Sequence, residues 1–256
     1  MTKKIENPTV TVVIPTLWGS PRLVKQLQEY CDWESCREII LVDNAVDKSM
    51  ELPDCEKIKV IRNEQNRYVN PAWNQGVAAS KGKHLLIVND DVSFNPRLLD
   101  AALRQLRPRQ VLGCSTDCFE PNLINSGSFE ISALPWDCMN QGWGCIMLMH
   151  RMSYPRIPEE LLIYCGDDWI SNSLQPLKMR LAVETDMSTS SGRSEFSVIK
   201  DNDINHFHTN YRTFAARIAY KLNRHGFSGG LRLLSKLTRR RSTEPKNKPN
   251  DQTWVV

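Results

Sequence analysis

The sequence predicts an α/β protein built on an open, mostly parallel sheet with helices on its faces. Three observations predict it. Short runs recur at Thr9–Ile14 (TVTVVI), β-branched and apolar, and at Glu38–Val42 (EIILV) and Leu85–Val88 (LLIV), and the last two read as buried strands, Leu85–Val88 on both faces because it lacks the polar alternation of a half-wet strand. Between them lie segments with helix-start signals, which gives the strand–helix–strand rhythm of right-handed parallel crossovers. The runs also end in small polar or acidic residues, Pro15-Thr16, Asp43-Asn44 and Asn89-Asp90-Asp91. In open α/β sheets the carboxyl ends of the strands are where ligands bind.

In chain order, Thr9–Ile14 is the first strand, closed by Pro15-Thr16. Ser20-Pro21 opens a helix through about Tyr30, with Leu23, Leu27 and Tyr30 on one face. Glu38–Val42 and Lys57–Arg62 are the next strands. Asn70-Pro71 starts a second helix that Gly82 ends, and the central strand follows. A helix from Asn95-Pro96 to about Leu106, a strand at Gln110–Cys114, a long loop over 115–141 and a strand at Gly142–Met149 come next. Gly166-Asp167-Asp168-Trp169 opens a helix to about Leu174, and Arg180–Val183 is expected as a last strand. Ser188–Asp203 reads as polar and mobile, 211–238 as a helical appendage broken near Gly226–Gly230, and 239–256 as a disordered basic tail.

Composition narrows the classes. With 256 residues, 41% hydrophobic and 24% charged, the chain suits one large globular domain with a terminal appendage. No run approaches the roughly 20 apolar residues of a spanning helix, and the amino terminus MTKKIENP lacks an apolar signal core. A cytoplasmic protein is expected, peripheral at most on the inner membrane face. The eight cysteines are scattered without a C-x-x-C pair, so buried thiols are expected and neither a disulfide framework nor a zinc site. Residues 232–248 carry seven Lys/Arg against one Glu, net +6, which leaves −2 for the rest of a chain whose total is +4. Basicity therefore belongs to the tail, where the Arg239-Arg240-Arg241 run reads as a solvated segment or as a contact for an anionic membrane surface or DNA.

Asp90-Asp91 at the end of a buried strand is the strongest chemical signal. Adjacent carboxylates repel unless a cation or hydrogen-bonding ligand offsets their charge, and a divalent ion carrying a diphosphate does both; the alternative is an ordinary polar turn.

An ordered series of motifs then resembles one family: TVVIPT, EIILVDNA, the Asn66-Arg67-Tyr68…Asn74-Gln75-Gly76-Val77 stretch, HLLIVNDDVSF, GWGCIMLM and GDDW, together spanning about 9–175. The series is similar to the GT-A glycosyltransferases of the family 2 type. The resemblance implies a GT-A fold over 1–205, with a nucleotide-sugar part at about 9–114 and an acceptor part at about 115–205; 206–238 and 239–256 are the appendage and the tail. Carried over residue by residue, it implies that Pro15 and Thr16 meet the nucleoside, Asp43 bonds the base, and Arg67 contacts base or diphosphate. Asn89-Asp90-Asp91 stands in the D-x-D position with Asn first, so that Asp91 ligates Mn²⁺ or Mg²⁺ and Asp90 contacts ribose or metal. Asp167-Asp168 matches the acidic pair at the start of the acceptor helix, whose second member is the general base. The implied reaction is inverting transfer from a nucleotide-diphosphate sugar, UDP-linked on the strength of Asp43 with Arg67, to a glycan or lipid-linked saccharide.

One departure from the family pattern concerns the metal. Relatives place a His about 20 residues after the base, where this chain has Glu184-Thr185-Asp186. Asp186, or His206 and His208 pointing the same way from a strand, are the candidates to complete the shell, or diphosphate and water do so. Trp136 and Trp143 flank the long loop and are candidate stacking platforms for a sugar or base. Trp73 and Trp169 read as core or acceptor-groove walls and His84 as structural. Two other functions stay open: transfer to modified bases in DNA through the basic tail, and a non-catalytic nucleotide- or sugar-binding module.

Overall fold

The computed structural model describes residues 9–114, 130–133, 143–185 and 195–211. Much of the expected 115–141 loop, Trp136, Asp186, most of the appendage and the whole tail lie outside the described residues. The chain divides into a unit ending at Asn205 and a second beginning at His206.

The first unit is an eight-stranded sheet in the order β3-β2-β1-β4-β8-β6-β9-β7. Its strands are β1 (Val10–Thr16), β2 (Cys36–Asp43), β3 (Ile58–Arg62), β4 (His84–Val88), β6 (Gln110–Cys114), β7 (Glu130–Ala133), β8 (Ile146–His150) and β9 (Gln175–Arg180). Two short strands, β5 (Val92–Ser93) and β10 (Glu184–Thr185), pair apart from it. The helices are α1 (Arg22–Cys31), α2 (Val69–Ala79), α3 (Asp100–Gln105), α4 (Gly166–Ser173) and α5 (Glu195–Asn210). The amino-terminal strands pair in parallel, as do β6 and β9, while β8 runs antiparallel to both β4 and β6 and β7 antiparallel to β9. The sheet is thus mostly parallel, with β8 inserted against the grain.

The continuous apolar runs do have two covered faces. From β2, Ile39 and Leu41 join the large core with Leu23, Leu27 and Tyr30 of α1, while Ile40 and Val42 pack with Ala72 of α2. Gly76 permits the close approach of α2, because a Cβ there would run into the Val13 side chain of β1. Pro15 pairs with Val42 of β2, but pairing with β4 stops at Val13↔Ile87, so a missing N–H costs little on the β4 side.

Several expectations are corrected. Strand β1 runs through Pro15 to Thr16. Helix α2 ends at Ala79 and not at Gly82; that glycine lies where a Cβ would strike the Thr11 backbone. The last long strand is Gln175–Arg180 rather than 180–183, since its place is set by register against β6. Residues 195–203, expected to be mobile, lie in α5. Cys31 and Cys55 form a disulfide, with Cα atoms 6.4 Å apart, where no pairing was expected. The end of α1 and the turn before β3 meet only in the folded chain. Cys36, Cys114, Cys145 and Cys165 are buried thiols. Among the described residues no helix is long and apolar enough to cross a membrane.

Candidate active site

The strand ends of β1, β2 and β4 assemble one polar network. The Thr16 hydroxyl donates to Asp90 Oδ2 at 2.7 Å and accepts the Trp18 backbone N–H at 2.8 Å. The Trp18 indole N–H then donates to Asp43 Oδ1 at 2.8 Å. Trp18 holds φ at 54°, a left-handed conformation that costs a non-glycine residue energy and is found where the surroundings impose it. Asp43 is 1% exposed and also accepts from the Ala45 N–H at 3.0 Å and the Arg62 guanidinium at 3.0 Å. The acid expected to read a base is therefore engaged by the protein itself. Arg62 and Arg67, with Asn63, Glu64 and Gln65, line an open polar groove of about 590 Å³ beside it. Arg67 is placed by its N–H on Asn44 Oδ1 at 3.4 Å, and Asn44 in turn donates to the Tyr68 carbonyl at 3.2 Å. Sequence reasoning missed Trp18 and Arg62. Their only signals were a Trp-Gly pair after the first strand and an Arg closing the third.

The second acidic pair comes from far along the chain. Asp167 and Asp168 occupy the first turn of α4, where carboxylates complement the helix dipole. Asp167 Oδ1 accepts the Asp168 N–H at 3.0 Å. Burial pushes the Asp167 carboxyl well above the usual range, opposed by the N–H groups of Asp168, Asp167 and Gly144. A Cβ on Gly144 would come 3.1 Å from the Asp167 side chain, a tight contact that this glycine avoids.

Cys145 joins the two acidic pairs. Its carbonyl accepts the Asn89 N–H at 3.1 Å, which ties β8 to the turn carrying Asp90 and Asp91. Burial pushes its thiol up to about 12, and the negative charges of Asp91 and Asp167 push the same way. Both carboxylates therefore lie within electrostatic reach of one sulfur, although 76 residues separate them in sequence (167 − 91). The antiparallel β8 brings them together, and no local sequence signal encodes that.

The acids suit a hard cation. Asp91 is 9% exposed, and burial raises the Asp90 carboxyl against the Thr16 hydroxyl and the N–H groups of Leu17 and Asp90. Such crowded, desolvated carboxylates favour a divalent ion. Among the described residues no three His, Cys, Asp or Glu side chains gather with ligand geometry. Mg²⁺ and Mn²⁺ take one or two carboxylates and fill their shells with phosphate and water, and Asp90 and Asp91 are the residues that could hold such an ion. His206 and His208 lie on helix α5, not on a strand. Two residues apart on a helix they point in nearly opposite directions, so the argument that they face one ion together falls.

Residues 11–128 match the model of glycosyl transferase family 2. The match covers the amino-terminal part of the chain, and the fold is GT-A-like. The mannosyltransferase PcManGT from Pyrobaculum calidifontis, solved with GDP-Man and Mn²⁺, aligns over 94% of this chain and 82% of its own, with a TM-score of 0.52 and 14% identity. TarS from S. aureus, residues 1–349, aligns over 80% of this chain and 73% of its own, with a TM-score of 0.49 and 13% identity. The likeness to PcManGT is one of fold. No curated protein sequence matches the chain.

Proposed function

We propose that the protein is an inverting transferase that moves a sugar from a nucleotide-diphosphate donor to an acceptor hydroxyl on a glycan or lipid-linked saccharide. Two neighbouring residues carry this reading, because the Cys145 carbonyl accepts the Asn89 N–H of the turn bearing Asp90 and Asp91 while Gly144 packs against the Asp167 side chain. Transfer by a single displacement needs positive charge at the leaving diphosphate and a base at the attacking hydroxyl, on opposite faces of the sugar. Two acidic pairs on separate elements meeting at one strand end supply both needs.

In this reading Asp91 and Asp90 hold the divalent ion. When bound, the ion supplies charge stabilisation to the departing diphosphate. Arg62 and Arg67 receive the donor's anionic or base end in the groove beside Asp43. Thr16 and Trp18 link that groove to Asp90, so the donor end and the acid turn form one connected wall. On the acceptor side the two acids divide the work. Asp167 is committed to the turn, accepting the Asp168 N–H, and Asp168 beside it takes the proton of the attacking hydroxyl.

The test is a donor panel of UDP-glucose, UDP-N-acetylglucosamine and GDP-mannose, assayed with Mn²⁺ for transfer or slow hydrolysis. Asp168→Asn keeps the shape and removes the base, so turnover should fall on the order of 10²-fold while donor affinity stays near wild type. Full turnover in that variant, with loss in Asp167→Asn instead, would reverse the two roles. Nucleotide binding without turnover on any donor would favour a non-catalytic module.

A further inference from the structure

The segment 161–165 that leads into α4 belongs to no strand or helix. Its polar backbone is instead held from two sides by side chains distant in sequence. Asp203 of α5 is 1% exposed, and its carboxylate accepts three consecutive backbone N–H groups: Leu162 at 3.1 Å to both oxygens, Ile163 at 2.8 Å and Tyr164 at 2.8 Å. Opposite it stands Asn70 in the first turn of α2, fully buried. The Asn70 backbone N–H donates to the Leu162 carbonyl at 3.0 Å, and its Nδ2 donates to the Tyr164 carbonyl at 3.1 Å. Its Oδ1 is buried without a hydrogen-bond partner and occupies the space where a Cβ on Gly166 would fall. Immediately after the held residues Cys165 turns left-handed, with φ 62°, and the chain enters α4 with Asp167 and Asp168.

We propose that Asp203 and Asn70 are positioning residues that fix the entry to α4, and through it the direction in which Asp168 faces the acceptor hydroxyl. This rests on the reading of Asp168 as the base. Successive N–H groups converging on one anion form a nest, and bonds to a charged acceptor are shorter and stronger than neutral ones. A buried carboxylate is costly unless fully satisfied, so its presence here buys a fixed backbone at a place where small displacements of a base are costly. The left-handed Cys165 leaves little play between the clamp and the acids. Asp203 lies outside the matched family segment 11–128, in a stretch whose polar composition suggested no order.

Asp203→Asn is nearly isosteric but presents an NH₂ group to at least one of the three N–H donors. In full-length protein, amide exchange at Leu162–Tyr164 should rise tenfold or more while β1 and β4 amides stay unchanged, since the opening is local. Donor turnover should fall about tenfold in kcat, with affinity for GDP or UDP plus Mn²⁺ unchanged within twofold. The titration midpoints of the Asp167 and Asp168 carboxyls, followed by carbon NMR in metal-free protein, should also move. Asn70→Ala removes one bond on the other side of the loop, should give the same pattern more weakly, and decides the question if Asp203→Asn does not fold. Unchanged exchange at 162–164 overturns the clamp. Faster exchange with unchanged turnover and unchanged carboxyl midpoints overturns the positioning role. Full activity of Asp168→Asn would sink the base assignment while leaving the exchange result standing, and if wild type turns over no donor, exchange and titration decide alone.

Discussion

Lowering the pH should weaken the central strand through His84. This residue begins β4, is 4% exposed, and pairs across the antiparallel ladder with His150, their ring centroids 4.7 Å apart. Its Nδ1 lies 3.1 Å from Thr9 Oγ1, and its Nε2 is buried without a hydrogen-bond partner. Burial first, then the charges of His150 and Lys83, push the imidazole from 6.5 down to about 4. Between those values the unfolded chain binds a proton that the folded chain does not. Stability is therefore fully present above pH 6.5 and is lost as the pH falls toward 4. Evaluating the linkage at pH 5 gives a loss of about 2 kcal/mol relative to pH 8 from this one group. Urea unfolding followed by tryptophan fluorescence at pH 8 and pH 5 measures it, in wild type and in His84→Gln, which retains a partner for Thr9. Any constant cost of the substitution cancels in the difference between the two pH values. The variant should lose about 2 kcal/mol less than wild type on acidification. Equal losses in the two proteins would show that His84 is not held neutral by the fold, and the argument from its burial would be wrong.

Two further outcomes are expected. Glu38 is nearly fully buried; burial raises its carboxyl, yet bonds from Lys59, the Thr11 hydroxyl and the Lys81 N–H outweigh that and hold it below the usual range. Glu38→Ala should therefore cost about 2–3 kcal/mol at pH 7, with the gap to wild type narrowing as the pH falls through the carboxylate range; a chemical-denaturation series across pH 3–7 reads it, and a gap independent of pH would refute the charge argument. Asp91→Ala should abolish Mn²⁺-dependent binding of UDP and GDP in titration calorimetry, and unchanged affinity would remove Asp91 from the metal assignment.

What the sequence determined by itself was local or periodic. Unbroken apolar runs specified two-faced strands because a half-wet strand must alternate, and Ile39/Leu41 and Ile40/Val42 do divide between opposite faces of β2. Acids at the ends of such runs marked a candidate ligand edge because strand polarity alone places them at the carboxyl ends of the sheet. The family resemblance rested on motif order, which survives in the linear chain. Tertiary structure decided everything that depends on which distant segments meet. The turn that enters the antiparallel β8 meets both acidic pairs, Cys145 through the Asn89 N–H and Gly144 against Asp167. Asp43 looks free in the sequence, yet Trp18 and Arg62 engage it from two other strand ends. His206 and His208 could share an ion only as strand residues, and α5 turns them apart. Cys31 meets Cys55 across 24 residues that carry no pairing signal. Asp203 shows the reason most directly. A polar stretch reads as mobile when its partners are unknown, and it becomes an ordered helix once three backbone N–H groups of another segment converge on its carboxylate.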